Sequence, residues 1–305
     1  MRILVVGELN PDLVLKDYSS FPEPGKEVLA GDLVMTLGSA SAICATGLAR
    51  LGNSVSFAGK VGADGWGDYC IQFLRGAGVD TAGVIRDPGA KTGLTVSLTS
   101  GRDRALVTYL GAIAVLTAQD IRGEVLAGCS HLHVSSYFLQ QSLRKGSRAL
   151  FRRAHDRGMT TSLDPGFDPS EQWGADIHDT LEEVDVFFPN EVELSAIAGD
   201  DDLATALGRL RNGRTLTVAK LGPNGCAALV DGRMIEVPAH HVTPIDTTGA
   251  GDTFNAGFLH AWLRGQPPEQ AMRFACICGA LSTQGVGGAS AQPDSAAVEK
   301  FLQGV

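Results

Sequence analysis

Short apolar, β-branched runs alternate along the chain with segments whose apolar positions repeat at helical spacing. The runs predict strands at Ile3–Val6, Val55–Gly59, Leu132–Val134, Thr160–Leu163, Val186–Phe188, Leu216–Ala219 and Ala227–Val230. Between them the spacing predicts helices at Ala40–Leu51, Gly67–Arg75, Leu143–Arg157, Val192–Ala198 and Ala204–Leu210. Gly52 and Gly158 stand just past two of these helices, where a left-handed residue commonly closes the last turn. "TAQD", Thr117–Asp120, has capping-box spacing, with aspartate in place of the usual glutamate. Strands alternating with helices predict an α/β fold whose mostly parallel sheet is covered by helices.

Two segments break that rhythm. Asp12–Leu37 and Thr92–Ala112 carry strict alternation and turn residues, the second as a hairpin around Ser100–Asp103 with Leu94, Val96 and Leu98 on one face. Both are read as one small antiparallel sheet projecting from the main body and usable as a lid. An apolar face on such a sheet needs cover, from a second subunit as a homodimer or from the closed, substrate-bound state. No internal repeat or low-complexity linker interrupts the 305 residues, so the expectation is a single domain, 1–305, with the lid segments 12–37 and 92–112 inserted in it.

Composition narrows the function classes. The chain is 44% hydrophobic and 19% charged, a globular profile. Its net charge of -9, without a basic run, argues against a nucleic-acid partner, which requires clustered Lys or Arg. The six cysteines form no CxxC pair and most sit in apolar stretches, as core thiols of a reducing compartment do. His131 and His133 on a strand, and His240 with His241 before a loop, read as packing or surface residues rather than ligands. "MRILVVGELN" is a first strand rather than a signal sequence, and no stretch is long and apolar enough for a membrane helix. A cytoplasmic protein with no membrane partner is expected.

The chemistry concentrates near the C-terminus, in "DTTGAGDTF", Asp246–Phe254. A glycine turn opening a helix presents backbone N–H groups without intrahelical partners at the positive end of the helix dipole, which suits a phosphate. Gly249, Ala250 and Gly251 form the turn, Phe254, Phe258 and Trp262 mark an apolar face, and Asp252 falls in the first turn. The residues alone leave two readings open: an anion site with a working carboxylate, or an aspartate that merely complements the dipole. The turn is not a G-x4-G-K-[ST] loop, and it lacks the third glycine and the early position of a dinucleotide fingerprint.

This stretch resembles the C-terminal signature of the PfkB-type, ribokinase-like carbohydrate kinases, and the rest of the chain agrees. "LGSASAICATGLARLG" (Leu37–Gly52) is similar to that family's glycine-rich sugar-side motif and "GKVGADGWG" (Gly59–Gly67) to its G-x-D-x-x-G segment. "PNEVE" (Pro189–Glu193) matches its N-x-x-E motif and "KLGPNG" (Lys220–Gly225) its nucleotide-side loop. The resemblance implies a three-layer α/β/α sandwich with a small antiparallel β lid, ATP and Mg2+ as cofactors, K+ as a further candidate, and phosphorylation of a sugar hydroxyl. By the same resemblance Asp252 is the general base, and Gly249, Ala250 and Gly251 are the anion hole. Asn190 and Glu193 order water around Mg2+, Asp246 and Thr248 hold a monovalent cation, and Asn190, Lys220, Gly222 and Gly225 lie against the nucleotide. Asn10, Asp12, Gly38, Ser39 and Ile43 face the acceptor.

Two departures bear on the acceptor. Ser39 stands where the family has a second glycine, and Ile43 where it has an asparagine touching the sugar. "DPGFDPSEQW" (Asp164–Trp173) is similar to the D-x-N-x-R…W stretch of fructokinases and ketodeoxygluconate kinases, with Gly166 and Asp168 replacing Asn and Arg. Losing a guanidinium and gaining a carboxylate favours a neutral sugar over an acidic one. A nucleoside kinase, a 2-keto-3-deoxygluconate-type sugar acid kinase and a non-catalytic sugar- or nucleotide-binding regulator are the alternatives.

Overall fold

The computed structural model describes residues 1–100 and 103–303. In chain order it runs β1 (Arg2–Val6), β2 (Pro11–Lys16), β3 (Asp32–Leu37), α1 (Ala40–Arg50), β4 (Ser54–Gly62), α2 (Gly65–Gly76) and β5 (Asp80–Asp87). Then come β6 (Leu94–Ser100), β7 (Asp103–Tyr109), α3 (Gly123–Leu126), β8 (His131–Val134), α4 (Gln141–His155), β9 (Thr160–Leu163) and α5 (Asp176–Leu181). The remainder is β10 (Val186–Phe187), α6 (Glu191–Ala198), α7 (Leu203–Arg209), β11 (Leu216–Lys220), β12 (Cys226–Val230), β13 (Arg233–Val237), α8 (Ala250–Trp262), α9 (Pro268–Ser282) and α10 (Ser295–Gln303).

The main sheet has nine strands in the order β13-β12-β11-β10-β9-β8-β1-β4-β5. It is parallel from β11 to β5, and only β12 and β13 at one edge pair antiparallel. Side chains alternate across a strand, so β1 feeds both faces: Ile3 and Val5 join a core with α1, α8 and α9, while Leu4 and Val6 join a second with α4, α6 and α7. Two helical layers over one sheet make the expected three-layer sandwich. The polar residues expected to pack do so: fully buried His131 and His133 both bond the hydroxyl of Ser162 between them, each at 2.7 Å.

The lid segments form a separate four-stranded sheet, β3-β2-β6-β7. Its β2–β6 pair is parallel, so it is mostly rather than wholly antiparallel. The tip expected between Ser100 and Asp103 includes 101–102, which lie outside the described residues. Cross-strand partners share a face. Asp12, Thr36, Thr95 and Thr108 therefore lie together on one side, and Leu13, Leu15, Leu33, Met35, Val96, Leu98, Val107 and Tyr109 on the other.

The capping signature at Thr117 behaves differently from expectation. The Thr117 N–H and hydroxyl both donate to Asp120 Oδ2, at 2.8 and 2.9 Å, but they close a turn and no helix follows from it directly. The bonds are local and need only the four-residue bend. A helix also needs following residues with an apolar face to bury.

Candidate active site

In open α/β sheets ligands gather beyond the carboxyl ends of the strands, and the polar residues of this chain do the same. The entrance of α8 comes first. Gly249 precedes the helix with φ 72°, and a Cβ there would stand 2.6 Å from Gly288 Cα, so a left-handed turn and close backbone approach both require glycine. Thr253 N–H starts the helical ladder by donating to Gly249 O at 2.9 Å, and Ala250 N–H is drawn back to Thr247 O at 3.3 Å. The N–H groups of Gly251 and Asp252 have no backbone acceptor among the described residues. These are the helix-end donors that bind anions.

Asp252 is half-buried in that first turn. No hydrogen bond or ion pair to its carboxylate is found among the described residues. Burial is the largest influence on its pKa, the charge of Asp164 adds to it, and Lys220 opposes both; Glu8 and Glu193 push the same way as Asp164. The net effect raises the carboxyl to about 7. An uncommitted carboxylate with that pKa, beside two open amides, is not spent on stabilising the helix.

Lys220 ends β11 and turns its amine toward the same place. Its Nζ lies 2.6 Å from Asp164 Oδ2 and 3.5 Å from where a Cβ on Gly251 would be. Asp164, just past β9, also accepts from Asn255 Nδ2 at 2.7 Å and from Gly166 N–H at 2.9 Å. Asn255 lies one turn after Asp252 on α8 and is fully buried, its own Oδ1 unpartnered.

Across the site, at the β2–β3 end, Asp12 lies against Gly38 and Asn10. Asn10 Nδ2 donates to Asp12 Oδ1 at 3.2 Å and to Thr95 Oγ1 at 3.3 Å, coupling the loop to the lid. Ser39 keeps φ 71°, a conformation that glycine adopts freely; its hydroxyl donates to Asn10 Oδ1 and accepts from Asn10 N–H, both at 2.8 Å. Ile43 is only 3% exposed and packs against Gly249 and Gly288, behind the anion turn. The sequence reading places it at the acceptor; here its side chain fills the space against Gly249 and Gly288. Asp168 is engaged within its own loop, its carboxylate accepting from Ser170 N–H, the Ser170 hydroxyl and Trp173 N–H.

Asn190 and Glu193 form a capping box at α6: Asn190 Oδ1 accepts from Glu193 N–H at 2.9 Å and Glu193 Oε2 from Asn190 N–H at 2.8 Å. Glu193 keeps one oxygen beyond the cap, and burial with the nearby Asp164 charge raises its carboxyl to about 7. Asp246 Oδ1 accepts from Thr248 N–H and its Oδ2 from Gly287 N–H, both at 2.9 Å, joining two loops behind the turn. Gly222 and Gly225, both at positive φ, shape the turn after Lys220.

Three residues of this region escaped the sequence reading. Glu8, 2% exposed just past β1, accepts from Ser41 N–H at 3.1 Å, the Ser41 hydroxyl and the Ser136 hydroxyl at 2.8 Å. Asp164 and Asn255 are the others. The available signal for Glu8 and Asp164 is a carboxylate just past a buried parallel strand, β1 and β9 respectively.

The pfkB family carbohydrate kinase model matches residues 1–295. A protein of Halopiger xanaduensis named ATP-dependent ribose-1-phosphate kinase is 31% identical over 99% of this chain and 98% of its own. Fructokinase-1 of Oryza sativa is 30% identical over 87% of this chain and 88% of its own. Among solved structures, a Vibrio cholerae fructokinase with fructose, ADP and potassium bound superposes with a TM-score of 0.83 at 28% identity, covering 99% and 98% of the two chains. Fold, motif order and family match coincide along essentially the whole length, and the chain belongs to the pfkB family of carbohydrate kinases.

Proposed function

We propose that this protein transfers the γ-phosphoryl group of ATP to a hydroxyl of a small neutral sugar. The observation that carries the reading is the uncommitted Asp252 carboxylate standing beside the open Gly251 and Asp252 amides. The amides stabilise charge on the phosphoryl oxygens, and Asp252 takes the proton of the attacking alcohol. Mg2+ would be held through water by the free oxygen of Glu193 and by Asn190, and would supply charge neutralisation at the phosphates. K+ would sit behind the turn near Asp246 and Thr248, as potassium accompanies ADP in the Vibrio fructokinase structure. Lys220, Gly222 and Gly225 lie on the nucleotide side.

The preference for a neutral acceptor rests on Asp12, Asn10 and Ser39: a carboxylate, an amide and a hydroxyl suit alcohol groups and leave an anion without a partner. A sugar phosphate is the second reading. A cavity of about 420 Å³ at the same end of the sheet is lined by Leu110, Phe138, Arg144, Lys145, Asp168 and Asp176. Arg144 is taken up by Asp176, whereas no ion pair to Lys145 is found among the described residues. ADP release measured with ribose, fructose, nucleosides, ketodeoxygluconate and ribose 1-phosphate separates the readings. Turnover confined to the phosphate or the acid overturns the neutral acceptor, and no turnover on any of them overturns the kinase.

A further inference from the structure

The region holds one buried ion pair that base, anion hole and cofactors leave unexplained. Lys220 and Asp164 sit with side chains 14% and 6% exposed. A buried pair of this kind adds little net stability over apolar residues of similar volume. Its position is more informative. The lysine side chain runs along the glycine turn, with Cδ, Cε and Nζ 3.7, 3.9 and 3.5 Å from the position a Cβ on Gly251 would take. One N–H of the ammonium is bonded to Asp164, and no other hydrogen bond from Nζ is found among the described residues. Asp164 itself is immobilised by donors from three elements: Lys220, Asn255 and Gly166.

We propose that Lys220 contacts the phosphoryl group in flight, and that Asp164, braced by Asn255, is the positioning residue that holds the lysine at the glycine turn. The proposal rests on the kinase reading. In the step, the acceptor oxygen forms its bond to the γ-phosphorus as the bond from that phosphorus to the β,γ-bridging oxygen breaks. The electron pair leaves with ADP, the alcohol proton passes to Asp252, and Lys220 keeps its protons. The ammonium turns a free N–H toward an equatorial phosphoryl oxygen while another stays on Asp164. A lysine without Asp164 would sample several rotamers of a long stem, and the fixed carboxylate removes that freedom before the nucleotide arrives.

The test compares Lys220→Met, Asp164→Asn and the double variant. Lys220→Met is expected to lower kcat by about 100-fold, the usual effect of losing one preorganised charge-stabilising donor, with KM for ATP changed less than threefold. Asp164→Asn is expected to lower kcat by about 10-fold by the same route. Each single variant leaves a buried charge unpaired and melts earlier; the double variant regains thermal stability and stays slow. The acid limb of the kcat profile adds a signature that packing does not produce. Asp252 faces Asp164, Lys220, Glu193 and Glu8. Removing the negative Asp164 moves the limb to lower pH, and removing the positive Lys220 moves it to higher pH.

A double variant that recovers rate together with stability, or a Lys220→Met enzyme within threefold of the parent, overturns the proposal. A parent that phosphorylates no acceptor overturns the kinase reading instead. The lysine is then judged by binding of ADP with and without aluminium fluoride. Tightening by fluoroaluminate in the parent and not in the single variants upholds the assignment; equal tightening, or none in the parent, overturns it.

Discussion

The carboxylate of Asp12 occupies the space that a side chain on Gly38 would need: a Cβ on Gly38 would overlap Asp12 Oδ1 and stand 2.9 Å from Oδ2. Gly38 stands one residue past the end of the β2–β3 ladder, where Asp12 pairs with Thr36, and its N–H donates to Asn10 O at 3.0 Å. Glycine is thus required by the Asp12 carboxylate, not by backbone conformation, since the φ of Gly38 is not positive.

Gly38→Ala is therefore expected to push Asp12 aside while the fold persists. Losing charge-assisted bonds to sugar hydroxyls, about 1.5–3 kcal/mol, raises the acceptor KM by roughly 10- to 100-fold. KM for ATP stays within twofold. Steady-state kinetics with each substrate varied in turn checks this; an equal rise in both constants would mean a general loss of structure.

Asp252→Asn removes the proposed base and keeps the shape of the turn. Turnover is expected to fall by about 10²–10⁴-fold with ATP·Mg2+ still bound, as titration calorimetry would read directly. In the parent enzyme only the ionised form accepts a proton, so kcat/KM declines tenfold per pH unit below about 7. The stability consequence has the opposite sense. A carboxyl with a raised folded pKa binds its proton more tightly folded than unfolded, so the fold gains stability as pH falls from about 7 toward the ordinary aspartate value of 3.8. Above pH 7 the ionised group costs up to about 4 kcal/mol before solvent screening, so Asp252→Asn should melt later than the parent at pH 8 and equally at low pH. Thermal melts across that range decide it.

The glycines of the turn separate conformation from chemistry. Gly249 is left-handed and pressed against Gly288 at 2.6 Å from a virtual Cβ, so Gly249→Ala is expected to lose about 1–3 kcal/mol and a correspondingly lower melting temperature. The three atoms nearest a Cβ on Gly251 all belong to Lys220, at ordinary contact distance. Gly251→Ala should keep the melting temperature of the parent and lower kcat, because the methyl group stands between the open amides and a phosphoryl oxygen. A stability loss equal to that of Gly249→Ala would assign both glycines to the turn's conformation alone.

Much of this was legible because local signals and tertiary demands agree. Gly52 and Gly158 close their helices at φ 82° and 73°, and β1, β4, β8, β9 and β11 lie where apolar runs predict them. The misses have physical causes. Helix α9 buries Ala271, Met272, Ala275, Cys276, Ile277 and Cys278 around its circumference, so no amphipathic period marks it. Edge strand β5 is mostly half-exposed and polar, which erases the signal of a buried strand. At the site, the spacing of Asn190 and Glu193 fits a metal-facing pair and a capping box equally; the backbone N–H groups of the α6 entrance supply the partners that spacing cannot show. The packing of Ile43 against Gly288, a residue far away in sequence that brings no side chain of its own, is likewise invisible to motif position.

The lid carries the last expectation, because its two faces differ in chemistry. Asp12, Thr36 and Thr95 line the face that Asn10 ties to the acceptor loop, and both threonines are buried. The opposite face exposes Leu33, Met35, Val107 and Tyr109 by 58, 43, 64 and 55%, a larger apolar surface than isolated side chains on a monomer explain. A substrate closing under the polar face leaves these residues in water, whereas a second copy offers a matching lid of the same kind to cover them. Val107→Asp puts a charge in the middle of that surface, away from Asp12 and the glycine turn. Sedimentation is expected to show a homodimer for the parent and a monomer for the variant, with a raised acceptor KM where the lid needs its partner to stay seated. A parent that sediments as a monomer at every concentration removes the dimer, and the apolar face then needs a different occupant.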